Sequence, residues 1–286
     1  MVLDTGCSML DSEQASSIQY LIHGMLNPLL IKELHMQTRG RETYAVGSIF
    51  ILALSALAFS LIWESSTGDR TLDAEYGKGM FLAFVIVLML GISLICPAFT
   101  VGAISSERER LTFNQLRVTL LRPHQILVGK AIPPLIYILI LLFASLPIAV
   151  LIVPLGGISP SQMAYCYLIA FISALAFSLI GLMCSSIYNS TRASTVMAYA
   201  IIGLFTFGTA VLPLILTGVF RVSGNRALLD LFIALNPFRA AFSIFGKGKQ
   251  FQLIGLPSWG IAIVGYLIIS VMASCIALLR FKKMRS

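Results

Sequence analysis

Six long apolar segments dominate the hydrophobicity pattern of the chain, and polar connections separate them. Each segment reaches the roughly 20 residues that an α-helix needs to cross a bilayer. Their cores contain no Asp, Glu, Lys, Arg or His. The pattern predicts an all-α integral membrane protein whose membrane domain, residues 44–281, has six transmembrane helices. We place them at Tyr44–Trp63, Met80–Ser105, Ala131–Pro154, Ser161–Ile187, Ala193–Phe220 and Trp259–Arg280.

A charged segment, residues 105–130, lies between the second and third apolar segments. It holds seven charged residues, and five of them are basic. Because cytoplasmic loops are enriched in Lys and Arg, this excess places the segment and both termini in the cytoplasm, including a basic tail at 282–286. The cytoplasmic pieces then hold 13 of the 20 Lys and Arg residues. Five basic residues in the last outer loop run against the rule, but early spans and short loops dominate orientation.

The chain before the first span divides into two parts. We expect residues 1–24 to form a polar tail, and no cleavable signal peptide, because the first 17 residues carry three acidic residues and no basic one. Residues 25–43 are predicted to form an amphipathic helix on the cytoplasmic leaflet. A plain flanking helix with basic side chains that reach the headgroups explains the pattern equally well. The residues assigned to this interface helix are Asn27 as N-cap, Pro28 at the first helical position, Lys32, Glu33, Arg39 and Arg41.

Two apolar pieces in the last outer loop are too short to span a membrane. They are Leu228–Leu235 and Pro237–Phe245, and Asn236 with the following proline breaks the chain between them. We expect a helical hairpin at 228–245 that is either re-entrant or lies on the outer surface before the last span. The fifth span approaches this hairpin through two glycines and a proline, so its outer half is expected to bend or break.

Small residues recur at helix-packing spacing in the fourth and sixth segments. Such faces let helices approach closely, either within one chain or between subunits, and packing within the chain is the commoner use. Prolines in the second and third segments, Pro97 and Pro147, are expected to kink them. The spaced small residues are Ala170, Ala174 and Ser178, Gly181 with Ser185, Ser270 with Ser274, and Ala273 with Ala277.

The composition excludes a soluble domain, because 58% of the residues are hydrophobic and only 11% are charged, against roughly 25% in soluble proteins. The formal charge of +8 is explained by anionic lipid headgroups, so no nucleic-acid partner is predicted. Spans without ionisable groups argue against a proton-driven carrier. The sequence also has no phosphate-binding loop, no metal-ligand spacing among its cysteines and no nucleophile beside a base. We therefore assign no catalytic, cofactor or metal residues and expect energy to arrive through a partner.

The charged segment resembles one in the membrane subunits of the ABC-2 class of ABC transporters. That family carries Ile-Ser-x-Glu-Arg-Glu-x-Gly-Thr-Leu-Glu-Leu-Leu after its second span, and later Ile-Leu-x-Gly-Lys. This chain departs at Leu111, where Gly is usual, and at Leu120, where Pro is usual. The opening helix, the six-span layout and the outer hairpin are similar too. Matching positions without a gap are Ile104, Ser105, Glu107, Arg108, Glu109, Thr112, Leu116, Thr119, Leu121, Ile126, Leu127, Gly129 and Lys130.

The resemblance implies a permease subunit in the cell membrane, which is the inner membrane in cells that have two membranes. Two such subunits, two copies or one copy with a sister permease, would sit on two cytoplasmic ATPases that bind ATP and Mg²⁺. This chain would then not be an enzyme, and closure of the ATPases would push on residues 105–130 and on the interface helix. The family's members mostly export. The alternative is a passive channel, or a scaffold of a membrane complex, without ATP coupling.

The residues expected to couple the chain to its ATPase lie in the first half of the charged segment. We expect Glu107 and Glu109 in the first turn of a helix, where the helix dipole favours acidic side chains. The arginines would offer bidentate contacts to the partner's carboxylates, and two apolar side chains would fill a cleft. The coupling residues are Glu107, Arg108, Glu109, Arg110, Phe113, Leu116 and Arg117.

Overall fold

A computed structural model describes residues 41–67, 74–109, 123–155, 157–209, 211, 233–246 and 257–285. All regular structure in these ranges is helical. A 3₁₀ turn, Val153–Leu155, follows the fourth helix, and a π-helical turn, Leu204–Gly208, continues the sixth. The α-helices are α1 (Arg41–Thr67), α2 (Ala74–Thr100), α3 (Gly102–Glu109), α4 (Pro123–Ile152), α5 (Pro160–Ile187), α6 (Thr191–Gly203), α7 (Pro237–Phe245) and α8 (Ser258–Arg285).

The described helices confirm an all-helical, multi-pass membrane protein. Five of the six predicted spans coincide with helices that are long and apolar enough to cross a bilayer. Helix α6 occupies the first half of the other predicted span, Ala193–Phe220, and most of the second half lies outside the described residues. The five candidate spans are Thr43–Trp63, Glu75–Glu109, Val128–Ile152, Pro160–Ile187 and Ser258–Arg280.

Helix α5 is the centre of the bundle and contacts α2, α3, α4, α6, α7 and α8. Its small residues Ala170, Ala174 and Ser178 are all buried. At Gly181 an added Cβ would overlap the side chain of Thr100 on α2. On α8, the small residues Ala273 and Ala277 are buried as well, whereas Ser274 is half-buried. At these positions the small residues pack helices of one chain together, as expected for close helix contacts.

A short capped turn starts α5. Gly157 adopts a φ of 81°, a conformation that glycine takes without steric cost. Ser159 is the N-cap: its hydroxyl accepts from the Gln162 amide, and the Gln162 side chain accepts from the Ser159 amide. Pro160 then occupies the first helical position, where its missing N–H costs nothing.

The predicted second span, Met80–Ser105, is two helices rather than one. Helix α2 ends at Thr100 and α3 begins at Gly102, although the Val101 amide still donates to the Pro97 carbonyl at 2.9 Å. Pro97 lies inside α2, where its missing N–H removes the hydrogen bond to the Ser93 carbonyl. The Thr100 hydroxyl donates to the Cys96 carbonyl at 3.0 Å. The last residues of the predicted span therefore belong to α3. Pro147 also lies inside a helix, but α4 continues through it.

Helix α7 is the second half of the predicted outer hairpin. Asn236 caps it by accepting from the amides of Phe238 and Arg239, and a proline follows at the first position, as the sequence indicates. The ring of Phe245 lies 5.6 Å from that of Phe81 near the start of α2. The Gln162 side chain at the start of α5 donates to the carbonyl of Ile244. Since α3 follows the end of α2, α7 and α3 lie at opposite ends of the bundle. Residues 228–232 of the hairpin lie outside the described residues.

Candidate functional site

The charged end of α3 is the candidate site, and α5 holds its first turn. The Ser185 hydroxyl of α5 accepts from the backbone amides of Ile104 at 2.9 Å and Ser105 at 3.0 Å. Amides in the first turn of a helix have no partner within the helix, so this hydroxyl acts as a cap supplied by another helix. Ser105 is fully buried, and its hydroxyl also donates to that of Thr191 at the start of α6.

Glu107 joins α3 to α4 through an ion pair with Lys130. The Lys130 ammonium lies 2.8 Å from a Glu107 carboxylate oxygen. The Lys130 side chain is 3% exposed, and the Glu107 side chain is 23% exposed. A lysine this buried needs a paired charge, because an isolated ammonium loses its hydration without compensation.

Arg108 binds the carboxyl-terminal end of α5. Its guanidinium donates to the carbonyl of Ser186 at 2.8 Å and to the side-chain oxygen of Asn189 at 3.0 Å, with a longer contact of 3.4 Å to the carbonyl of Tyr188. The last carbonyls of a helix have no partner within the helix and carry partial negative charge. A cation at this position therefore both satisfies the carbonyls and complements the helix dipole.

Glu109 binds the amino-terminal end of α6. Its two carboxylate oxygens accept from the backbone amide of Thr191 at 2.7 Å and from the Thr191 hydroxyl at 2.9 Å. Ser190 is the N-cap of α6 and accepts from the Ala193 amide. An anion at this end complements the positive end of the dipole.

Consecutive residues of α3 thus fasten it to three other helices. We call Glu107, Arg108 and Glu109, with the groups that they bind, the α3 clamp. Glu107 holds α4, Arg108 holds the end of α5, and Glu109 holds the start of α6. The two carboxylates bind different partners on different helices, so the arrangement is an electrostatic clamp rather than an acid–base pair.

The clamp corrects one expectation about α3. Glu107 and Glu109 were predicted in the first turn of a helix, but they lie at the end of α3, whose first turn is apolar and is capped by Ser185. The dipole argument applies to Glu109 at another helix, α6. Sequence reasoning noted Ser185 for its spacing but missed its capping role, and missed Thr191 altogether. Asn189 and Ser190, both good N-cap residues, were the available signal for a helix start there.

The other predicted site residues have different outcomes. Arg41 is exposed in the first turn of α1. The coupling role of the seven residues remains a prediction. Outside the described residues lie Arg110, Phe113, Leu116 and Arg117 of the coupling set and Asn27, Pro28, Lys32, Glu33 and Arg39 of the interface helix.

Among the described residues, no group of three or more His, Cys, Asp or Glu could hold a metal ion. The described cysteines are reduced, and three of the four are buried: Cys96, Cys166 and Cys184. Buried thiols in an apolar bundle behave as small hydrophobic side chains.

The chain matches the sequence profile of a known protein family. Residues 28–285 match the sequence profile of the ABC-2 family transporter proteins, so the match covers most of the chain, including the α3 clamp and α7. No individually curated protein matches the chain significantly.

Proposed function

This chain belongs to the ABC-2 family of transporter proteins, and from that premise we propose that it is the permease subunit of an ATP-driven exporter. In this proposal a separate cytoplasmic ATPase binds ATP and Mg²⁺, and residues 105–130 receive its motion. The observation that carries the proposal is the α3 clamp, which connects this segment to three helices of the bundle.

The clamp is suited to transmit a displacement. Helix α3 is short, its first turn is capped by α5, and its last turn is bound to α4, α5 and α6. Charge-assisted hydrogen bonds of 2.7–3.0 Å are stronger and more directional than contacts between neutral groups. A push on the segment that follows α3 therefore moves the junction between α5 and α6 instead of deforming a loop.

The two halves of the coupling set have different roles in this proposal. Glu107, Arg108 and Glu109 face the bundle and transmit the motion. The contact with the ATPase falls to the residues that follow, together with the interface helix at 25–43. Guanidinium groups form bidentate contacts with carboxylates, and apolar side chains fill clefts, which suits a protein partner. The proposed docking residues are Arg110, Phe113, Leu116 and Arg117.

The finer architecture belongs to the same proposal. We infer six spans, both termini in the cytoplasm, and a pair formed with a second copy or a sister permease. The hairpin is re-entrant in this proposal. Its tip is deep, because the Tyr266 hydroxyl donates to the Leu235 carbonyl, and Tyr266 lies more than two turns into α8, about 12 Å from its start. The other end of α7 is near the starts of α2 and α5.

Co-purification tests the proposal directly. The tagged chain is extracted from its native membrane in mild detergent, and co-eluting proteins are identified by mass spectrometry. We expect an ABC ATPase to co-elute with the wild-type chain. The double variant Arg110→Glu/Arg117→Glu should reach the membrane but recover about tenfold less ATPase, since several contacts of about 1 kcal/mol are lost.

A matched control changes charge at the other end of the bundle. Lys247→Glu/Lys249→Glu makes the same change of net charge in the predicted outer loop and should recover as much ATPase as the wild type. A wild-type chain that elutes without an ATPase contradicts the proposal. Flux through vesicles that contain this chain alone would instead establish the passive channel.

A further inference from the structure

A buried amide joins the tip of α7 to α6. Asn236 is buried, with only 3% of its surface exposed. Its nitrogen donates to the Thr206 carbonyl at 2.9 Å and to the Thr209 hydroxyl at 3.0 Å. Its oxygen accepts from the amides of Phe238 and Arg239 in the first turn of α7. One side chain therefore starts α7 and also attaches it to α6.

The partner on α6 is the π-helical turn. Residues Leu204–Gly208 form this turn, in which backbone hydrogen bonds shift from the usual register. The Thr209 hydroxyl donates to the Phe205 carbonyl at 2.6 Å and uses its lone pair to accept from Asn236. π-helical turns are rare and occur often at functional positions. Here the turn presents a carbonyl, and Thr209 directly after it presents a hydroxyl, to the same amide.

The residue before Asn236 is held by a third helix. Tyr266 of α8 is 1% exposed, and its hydroxyl donates to the Leu235 carbonyl at 2.8 Å. An added Cβ at Gly265 would overlap the Leu235 side chain, so α8 and this tip are in close contact. The tip of α7 thus lies between α6 and α8.

We propose that Asn236 is a latch that holds α7 against α6 while the tip is dry and releases it when water reaches the tip. The amide is not a ligand-binding group in this state, because both of its N–H groups and its oxygen are already engaged. Asn236 is a positioning residue that sets where α7 lies. This inference concerns contacts within the bundle and does not depend on coupling to an ATPase.

The physical basis is the cost of unpaired polar groups. In a dry bundle, separating α7 from α6 leaves the Thr206 carbonyl and the Asn236 amide without partners, and each unpaired group is costly. Water can replace both partners of each bond, so hydration removes most of that cost. The latch is therefore strong in a closed bundle and weak in one whose path is filled with water.

Two variants separate the latch from the cap. Asn236→Ser keeps an oxygen that caps α7 about as well, but it lacks the amide that reaches α6. Thr209→Val keeps the shape of the side chain and removes the hydroxyl that accepts from Asn236. Ser243→Ala is the control, because the Ser243 hydroxyl donates only within α7, to the Ala240 carbonyl. The measurement is hydrogen–deuterium exchange by mass spectrometry on the full chain in lipid nanodiscs.

The expected result is faster exchange across α7 in both latch variants. Amides of Phe238–Phe245 should exchange about tenfold faster in Asn236→Ser, because breaking two buried hydrogen bonds raises the open population by at least that factor. Thr209→Val should raise the rate several-fold, and Ser243→Ala should match the wild type.

Wild-type exchange in both latch variants would overturn the proposal, because apolar packing would then hold α7. Faster exchange in Asn236→Ser with wild-type exchange in Thr209→Val would also overturn the proposal. The effect would then come from how the tip of α7 packs and not from the hydrogen bonds to α6. Should Asn236→Ser fail to fold, Thr209→Val decides alone, since it leaves the cap intact.

Discussion

The charge order of Glu107, Arg108 and Glu109 has a geometric explanation. Helix α5 ends and α6 begins across a short turn, so a negative and a positive helix end lie side by side next to α3. Arg108 meets the negative end and Glu109 the positive end. Glu107 turns away to Lys130 on α4. Exchanging Arg108 and Glu109 would place each charge at the wrong dipole end.

The sequence could indicate these charges but not their partners. Arg108 and Glu109 bind chiefly backbone groups about 80 positions away. Because every residue carries a backbone carbonyl and nearly every one an amide, the residue types do not reveal these partners. The family resemblance points to this segment and attributes its charges to contact with a partner protein. That role remains a prediction, and the structure adds an internal role that no periodicity could show.

The side chain next to Gly181 leaves no room for a larger residue at this position. An added Cβ would overlap the hydroxyl of Thr100, which is fully buried and donates to the Cys96 carbonyl. We expect Gly181→Ala to lower the free energy of unfolding by about 1–3 kcal/mol, because Thr100 must shift or α2 and α5 must separate. The measurement is a reversible denaturant titration in mixed micelles.

The matched control is Gly79→Ala, because an added Cβ at Gly79 of α2 meets nothing within 4 Å. It should be neutral or slightly stabilising, since alanine favours helix over glycine. Equal stability of both variants would show that α2 and α5 are not in tight contact at Gly181.

At the scale of helices, five of the six predicted spans coincide with candidate membrane helices of the structure, but the helix ends differ from the predicted ones. Hydrophobicity reports where a helix crosses the membrane, whereas backbone hydrogen bonding continues into polar residues. Helix α4 therefore begins at Pro123, although the apolar segment begins at Ala131. The opposite occurs at Val101, where the chain stays apolar and the helix is interrupted. Beside that interruption the Thr100 hydroxyl donates to the Cys96 carbonyl and Thr100 packs against Gly181 of α5, and periodicity detects neither contact.

The α3 clamp predicts that attachment to α6 can be lost without loss of the ATPase. Glu109→Ala removes both hydrogen bonds to Thr191 at the start of α6. Amides of Thr191–Ala193 should exchange several-fold faster, and the change in exchange that ATP induces at the α5–α6 junction should disappear. Recovery of the ATPase should stay normal, because the proposed docking residues are intact.

Glu75→Ala is the control for this prediction. Glu75 is an exposed acidic residue in the first turn of α2, so it shares the favourable dipole interaction but binds no second helix through the clamp. It should leave the ATP-induced change at the α5–α6 junction intact. Loss of the ATPase in Glu109→Ala would place Glu109 in the docking surface instead.

At the scale of the molecule, the two polar clusters occupy opposite ends of one bundle. The α3 clamp lies where α2 and α5 end, and α7 packs where they begin. The central helix α5 contacts both α3 and α7, so it connects them directly. Such an arrangement suits a protein in which a displacement at one membrane face alters a path that opens at the other.

This polarity determines which segments share a side of the membrane, and it gives the last prediction. If α3 is cytoplasmic, then Asn189 beside it and Ser286 at the end of the chain are cytoplasmic, and Asp69 between α1 and α2 is outside. We expect a membrane-impermeant maleimide to label Asp69→Cys in intact cells. Asn189→Cys and Ser286→Cys should react only after permeabilisation. The background is Cys7→Ser/Cys275→Ser, because Cys275 is exposed and Cys7 lies outside the described residues.

The five basic residues in the last outer loop make this test decisive. Positive charge favours the cytoplasm, so these residues oppose the orientation that the charged segment predicts. Of the five, the structure describes Arg239, which lies on α7, and α7 packs against the starts of α2 and α5, away from α3. An orientation that makes α3 cytoplasmic therefore places α7, with Arg239, in the outer half of the bundle. Labelling of Ser286→Cys in intact cells, with none at Asp69→Cys, would show that the bundle has the opposite orientation in the membrane. It would also remove the α3 clamp from reach of any cytoplasmic ATPase.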